Sequence, residues 1–151
     1  MKIRTRVGGI CVKDNKILLI RHRNVGELPV FWLPPGGAIQ YGESLEEALQ
    51  REFIEETGLR VGIKQYLFAN EVLVPQVHTL EFFFEVQIIE GELITGQDPE
   101  FSPENQLIEE CVFLSFEELK TIPPLYLHNL FWGVNSIEEL LLQRGLLQLI
   151  R

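Results

Sequence analysis

Residues Gly37–Leu59 read GAIQYGESLEEALQREFIEETGL, and this stretch decides how the rest of the chain is understood. Ser44 followed by Glu47 is a capping box, in which each side chain satisfies a backbone N–H at a helix start. Gly58 follows the last periodic residue, where a left-handed turn favours glycine. The spacing therefore predicts a helix over about 44–57. Near its C-terminal end it carries Glu52, Glu55 and Glu56, spaced so that all three carboxylates share one face. At roughly 100° per residue their mean direction nearly coincides with that of Leu45, Ala48 and Leu49. Solvated acids belong opposite an apolar stripe, whereas these continue it. Unpaired carboxylates at the edge of a core are costly, so something positive is expected to meet them. A divalent cation is the natural choice, because hard cations take oxygen ligands. Mg2+ is the expected ion, and Mn2+ suits the same ligands.

A longer pattern encloses the helix. With U apolar, G-x5-E-x7-R-E-U-x-E-E-x-G-U is complete in Gly37, Glu43, Arg51, Glu52, Phe53, Glu55, Glu56, Gly58 and Leu59. At ordinary residue frequencies a chance match in so short a chain falls far below about one in a million. The pattern resembles the signature of the Nudix (MutT-like) hydrolases, and the WLPPGG lead-in at Trp32–Gly37 extends the likeness. The resemblance implies an α/β fold, an α/β/α sandwich with a central mixed β-sheet flanked by helices. It also implies hydrolysis of a nucleoside diphosphate linked to another moiety, by water attack on phosphorus. Glu52 and Glu56 are then the foremost metal ligands, with Glu55 and the Gly37 carbonyl in the same candidate set.

Arg51 lies about 90–100° around the helix from Glu52, on the flank of the acids. Its expected role is to orient Glu43 or Glu55 by a charge-assisted hydrogen bond. Glu43 reads as a supporting residue, a water-mediated ligand, or an acid favoured at a helix N-terminus. Family members place the general base inside the box or on a later loop, so Glu55 competes with Glu100, Glu104 and Glu109. Gln40 stands where many relatives carry a glutamate just before the Gly42-Glu43 pair, so no extra metal ligand is expected there.

Composition bounds what else the chain can do. At 151 residues and 46% apolar it is one domain's worth, a single unit over 1–151 with enough apolar residues for a substantial core. A formal charge of −9 argues against a footprint on duplex nucleic acid. Small anionic substrates remain compatible, because a bound cation reverses the local sign. Cys11 and Cys111 lie in apolar runs without metal-binding spacing and read as reduced, buried thiols. No apolar run approaches the roughly 18 residues of a membrane span. The apolar segment Val7–Val12 is too short for a signal sequence, so cytoplasmic residence without membrane association is expected.

Along the chain, Ile3–Lys13 and Lys16–His22 read as strands joined at Asp14-Asn15, and Arg23–Val30 as a loop. Phe31–Leu33 reads as extended, and Pro34–Gly37 as a break in regular structure. Arg60–Val74 and Val77–Glu90 read as long strands around Pro75-Gln76, with Phe82–Phe84 requiring cover on both faces. Gly91–Gln106 reads as an acidic loop and Glu109–Leu114 as a strand. Ser115/Glu118 and Ser136/Glu139 are further capping boxes, the first opening a short helix and the second a last helix through about Arg144. Another helix is expected between them, after Pro124.

For substrate contacts the candidates are Arg21 and Arg23, beside the break before the box, and Trp32 and Tyr41, which offer rings for stacking. His22, His78 and His128 read as structural. Nucleoside triphosphates, nucleotide sugars, ADP-ribose and dinucleotide polyphosphates would all present the same diphosphate to the same acids. The expected partner is thus a small nucleotide-type diphosphate, and the resemblance leaves a homodimer open. Two other readings on the same fold are a non-catalytic nucleotide-binding module, which should show a degraded box, and an isoprenoid diphosphate isomerase, which needs its own catalytic cysteine and glutamate outside the box.

Overall fold

In the computed structural model, which describes residues 2–95 and 107–151, the chain begins with a hairpin. Its strands are β1 (Arg4–Lys13) and β2 (Lys16–Val25), joined through Asp14 and Asn15 at positive φ. Next come β3 (Leu28–Leu33), β4 (Gly36–Ala38), α1 (Leu45–Thr57), β5 (Arg60–Val74) and β6 (Val77–Glu90). After the undescribed segment follow β7 (Ile108–Leu114), α2 (Phe116–Leu119), α3 (Ile137–Leu142) and β8 (Gly145–Ile150). Among the described residues the strands form one mixed sheet in the order β3-β2-β1-β6-β5-β8, with β4 added on β1 and β7 on β2. The β1–β6 and β5–β8 pairs are parallel and the others antiparallel.

Strand periodicity divides the apolar residues between two faces. In β2, Leu18 and Ile20 join Val7, Ala48, Leu49, Phe53 and Val86 in the core beneath α1. Their neighbours Ile17 and Leu19 join Ile10, Phe68, Phe83, Leu130 and Leu140 on the other face, beneath α2, α3 and the turns between them. A strand covered on both faces reads as an unbroken apolar run, as Ile17–Ile20 does. The Phe82–Phe84 triplet obeys the same rule: Phe83 is buried on the second face and Phe84 packs on the first. This is the helix–sheet–helix layering expected from the sequence. Phe53 is fully buried, and Phe53→Ala is expected to cost about 3–5 kcal/mol in urea unfolding.

α1 has the foreseen ends. Ser44 caps it, its hydroxyl accepting from Glu47 N–H at 3.1 Å, and Gly58 closes it at φ 74°. The Glu47 carboxylate meets the Ser44 hydroxyl instead of the backbone N–H, so this box is half formed. At Ser115 and Glu118 the box is complete.

Four expectations need correction. Arg23–Val30 is not a loop: β2 runs to Val25, and β3 begins at Leu28 after a tight turn at Gly26. Pro29 is tolerated because β3 lies at the edge of the sheet, where one side of the strand needs no partner. Pro34–Gly37 does not break regular structure throughout, since β4 pairs Gly36 and Gly37 with Gly8 and Val7. The segment after Pro124 forms two 3-10 turns, Pro124–Tyr126 and Asn129–Phe131, in place of an α-helix. Finally, α3 ends at Leu142, and β8 then docks parallel to β5, pairing Phe68–Leu73 with Gly145–Ile150.

Candidate active site

The site forms where β4 runs beneath α1. Gly36 and Gly37 lie flat against β1; Gly36 has no room for a side chain, and one on Gly37 would have to displace the Glu52 carboxylate. A methyl on Gly36 would overlap the Val7 carbonyl, and one on Gly37 would overlap the Glu52 carboxylate. Backbone and carboxylate therefore meet without an intervening side chain. A further turn is held by Glu43, whose carboxylate accepts Gln40 N–H at 2.9 Å.

The buried face of α1 comprises Ala48, Leu49, Phe53, Glu56 and Thr57, so an acid does continue the apolar stripe. Glu56 is only 6% exposed, and its carboxylate accepts the Gly36 N–H at 2.8 Å. The Glu52 side chain is 13% exposed and Glu55 lies further out. Burial raises the Glu52 carboxyl above the ordinary carboxylate range, against the opposing pull of Arg51.

Arg51 is the positive group that meets these acids. Its Nε donates to Glu43 Oε2 at 2.8 Å and its Nη2 to Glu43 Oε1 at 2.9 Å, a bidentate pair. Nη1 donates to Glu52 at 3.0 Å and Glu55 at 3.3 Å, and Nη2 also reaches the Ala38 carbonyl at 3.0 Å. The hydrogen bonds from Arg51 hold Glu43 below the usual carboxylate range, and the same acids push the guanidinium upward, keeping it charged.

The structure thus gathers Gly37, Glu43, Arg51, Glu52, Glu55 and Glu56 at one place. Among the described residues no three carboxylate, imidazole or thiol side chains stand ready-made around a metal position. Arg51 bridges Glu52 and Glu55, and Glu56 is turned to the backbone of β4. The donor set is nevertheless all oxygen, with Glu52 set directly against Gly37. Such a set fits a hard divalent ion.

Other candidates lie apart from these contacts. Arg21 pairs with Glu109 at 3.0 Å and Glu110 at 3.4 Å across β2 and β7, and its guanidinium sits over the Trp32 ring at 5.6 Å. Trp32 also packs against the second core. Arg23 receives support from β7's approach, its N–H donating to the Leu107 carbonyl at 2.8 Å. Tyr41 is fully exposed. Glu100 and Glu104 lie outside the described residues, and Glu109 is engaged by Arg21.

A second polar cluster escaped the sequence reading. Glu81 is 6% exposed on β6; its Oε1 accepts Asn70 Nδ2 at 3.0 Å and meets His128 Nε2 at 2.7 Å. His128 Nδ1 accepts the Leu130 N–H at 3.0 Å, so the ring proton sits on Nε2 and points at Glu81. Asn70 and Asn129 exchange amide hydrogen bonds at 2.9 and 3.0 Å. The available signal was Glu81 itself, an acid on the same strand face as buried Phe83.

Burial would raise the Glu81 carboxyl, but His128, Arg6 and Asn70 outweigh it and hold it at about 2. A carboxyl depressed below its ordinary 4.5 contributes stability above that value, which is lost as the pH falls toward about 2. Urea unfolding at a series of acidic pH values should show this loss in the wild type. It should be missing from Glu81→Gln.

Known proteins share this framework. The family model described as NUDIX domain matches residues 2–130. The chain is 43% identical over 94 residues to the ADP-ribose pyrophosphatase of Methanocaldococcus jannaschii, covering 61% of this chain and 55% of that protein. It is 31% identical over 120 residues to the m7GpppN-mRNA hydrolase NUDT17 of Xenopus laevis, covering 72% and 40%. The chain therefore spans about half the length of these curated relatives. The crystal structure of a MutT NUDIX hydrolase from Burkholderia pseudomallei superposes with a TM-score of 0.66 at 22% identity, covering 82% of this chain and 88% of that one. With the layered fold, the complete box and a domain match over most of its length, this chain belongs to the Nudix family.

Proposed function

We propose that the chain is a divalent-metal-dependent hydrolase that cleaves the diphosphate linkage of a nucleoside diphosphate derivative by water attack on phosphorus. The observation that carries this reading is the packing of the Glu52 and Glu56 carboxylates against the Gly36-Gly37 backbone. In this reading Glu52, Glu55, Glu56 and the Gly37 carbonyl hold the ion, Mg2+ in the first instance. The bound ion would supply charge neutralisation on the diphosphate oxygens. Arg51 and Glu43 act as positioning residues: the bidentate pair fixes the arginine, and the arginine fixes the rotamers of Glu52 and Glu55. Glu55 is the most open of the three helix acids and is the base candidate within the described residues that also faces this cluster.

Residues 1–151 act as one Nudix unit in this reading, with nucleotide sugars, ADP-ribose and nucleoside triphosphates as the substrate classes. No helix among the described residues is long and apolar enough to cross a membrane. The isomerase reading loses support from the cysteines. Burial pushes the Cys11 thiol up to about 11 and the Cys111 thiol up to about 12, so neither is poised as an acid–base group near neutral pH. The reaction is tested in 18O-labelled water. Label is expected in the released phosphate or nucleoside monophosphate, and label confined to a non-phosphate product would contradict attack at phosphorus.

A further inference from the structure

The sheet has two outer edges, and they are built differently. β3 carries Pro29, and its outer side is covered at Trp32, whose carbonyl accepts the His128 N–H and which bridges to Leu127. β8, at the opposite edge, reads Gly-Leu-Leu-Gln-Leu-Ile over Gly145–Ile150. It has no charge, no proline and, among the described residues, no strand on its outer side. Natural sheets blunt such edges, because a row of unpaired N–H and C=O groups is a template for another strand. β8 also lies beyond the 2–130 match to the family domain, so it is not part of the matched framework.

The direction of its free groups follows from the ladder. The Arg151 N–H donates to the Leu73 carbonyl, and hydrogen-bonding direction alternates along a strand paired on one side. Leu147 and Leu149 therefore bond to β5, and the N–H and C=O groups of Leu146, Gln148 and Ile150 point outward. The side chains of these three residues share one face and are exposed, Leu146 at 56% and Ile150 at 54%. Leu73, the β5 partner of Ile150, extends the apolar patch. Outward from Gln148 the pattern is the same in both directions, Leu147 and Leu149 first, then Leu146 and Ile150. A strand with that symmetry is complementary to its own antiparallel copy.

We propose that β8 pairs antiparallel with β8 of a second copy of this chain, across a two-fold axis at Gln148, joining two sheets into one. Gln148 then faces its own counterpart, Leu146 faces Ile150 of the second copy, and the outward groups of all three residues are paired. Such a contact is closed, whereas joining β8 to the β3 edge would propagate without end and is opposed by Pro29. The flanking arginines do not stand in the way. Arg151 falls opposite Gly145, which has no side chain, and its guanidinium lies over the Trp132 ring at 6.0 Å. Arg144 donates to the Leu141 and Gln143 carbonyls of its own chain at 2.6 and 2.7 Å.

The test is sedimentation of the wild type at micromolar concentrations, which is expected to give twice the chain mass. Leu146→Lys combined with Ile150→Lys sets like charges opposite one another and should give a monomer, as should Leu146→Glu combined with Ile150→Glu. The two doubly substituted chains, mixed in equal amounts, should form a one-to-one dimer, because opposite charges then face each other. Ile89→Lys, at a comparably exposed position on β6, should remain dimeric. Amide hydrogen exchange on the wild type needs no variant to fold. The Leu147 and Leu149 amides should be protected at every concentration, while those of Leu146, Gln148 and Ile150 should gain at least about 10-fold protection as the dimer forms. A wild type that stays monomeric overturns the self-pairing and leaves this edge to an extended segment of a different protein. A dimer that persists in both doubly substituted variants, or exchange at Leu146, Gln148 and Ile150 that ignores concentration, overturns it as well. Failure of the mixture to associate overturns the register with Gln148 on the axis.

Discussion

Glu56→Gln is expected to lower turnover at least about 10²-fold while leaving the protein folded. The residue is nearly buried, and its acceptor role toward Gly36 N–H needs only an oxygen, which glutamine retains. The substitution therefore spares the junction between α1 and β4 and removes the negative charge. In the proposed reaction that charge holds the cation, and a neutral amide oxygen is a poor substitute for a carboxylate beside a divalent ion. Steady-state kinetics with circular dichroism and urea unfolding check both halves. A loss smaller than about 3-fold in a folded variant would remove Glu56 from the site.

Arg51→Met should damage both stability and activity. Its guanidinium donates to three carboxylates and a carbonyl, so its removal leaves Glu43, Glu52 and Glu55 facing one another without the cation that bonds them together. Breaking one partner out of a well-buried pair costs several kcal/mol. The Arg51 side chain is about a quarter exposed, which lowers the expected cost to roughly 1–3 kcal/mol. Turnover should fall about 10- to 100-fold, because Glu52 and Glu55 lose the contact that fixes their geometry. Arg51→Lys is expected to restore less than half of the stability, since a single ammonium cannot reproduce the fork toward Glu43 and the bond to Ala38 together. Added Mg2+ should raise the melting temperature of Arg51→Met more than that of the wild type. Full recovery by lysine would show that charge alone, not the donor geometry, is what the site requires.

The contrast between what was legible and what was not follows from sequence distance. α1 was readable to its caps because Ser44, Gly58 and the apolar stripe are local signals. The place of Arg51 on the flank of the acids was readable because helix geometry alone puts it there, and the contact to Glu43 spans only eight residues. The alternatives of Glu43 or Glu55 resolved into both, with Glu43 held bidentately. β4 and β8 were missed for the opposite reason. Three residues of Gly-Gly-Ala carry no periodicity, and Gly145–Ile150 is too short for its alternation to speak, so only pairing with distant β1 and β5 defines them. Glu81 and His128 are separated by 47 residues, and a scattered histidine gives no sign of its partner. The mutual contact of Trp32 and Arg21 on β2 and β3, with the guanidinium over the flat ring, was not legible either, because it depends on the register of the two strands.

The most direct test is release of phosphate or nucleoside monophosphate by the wild-type protein from a nucleoside triphosphate, a nucleotide sugar and ADP-ribose, with Mg2+ and with a chelator. Turnover of at least one of them, abolished by the chelator and restored by Mg2+, is the expected result. Nucleotide binding without turnover of any would contradict the hydrolase and leave a binding module on the same fold.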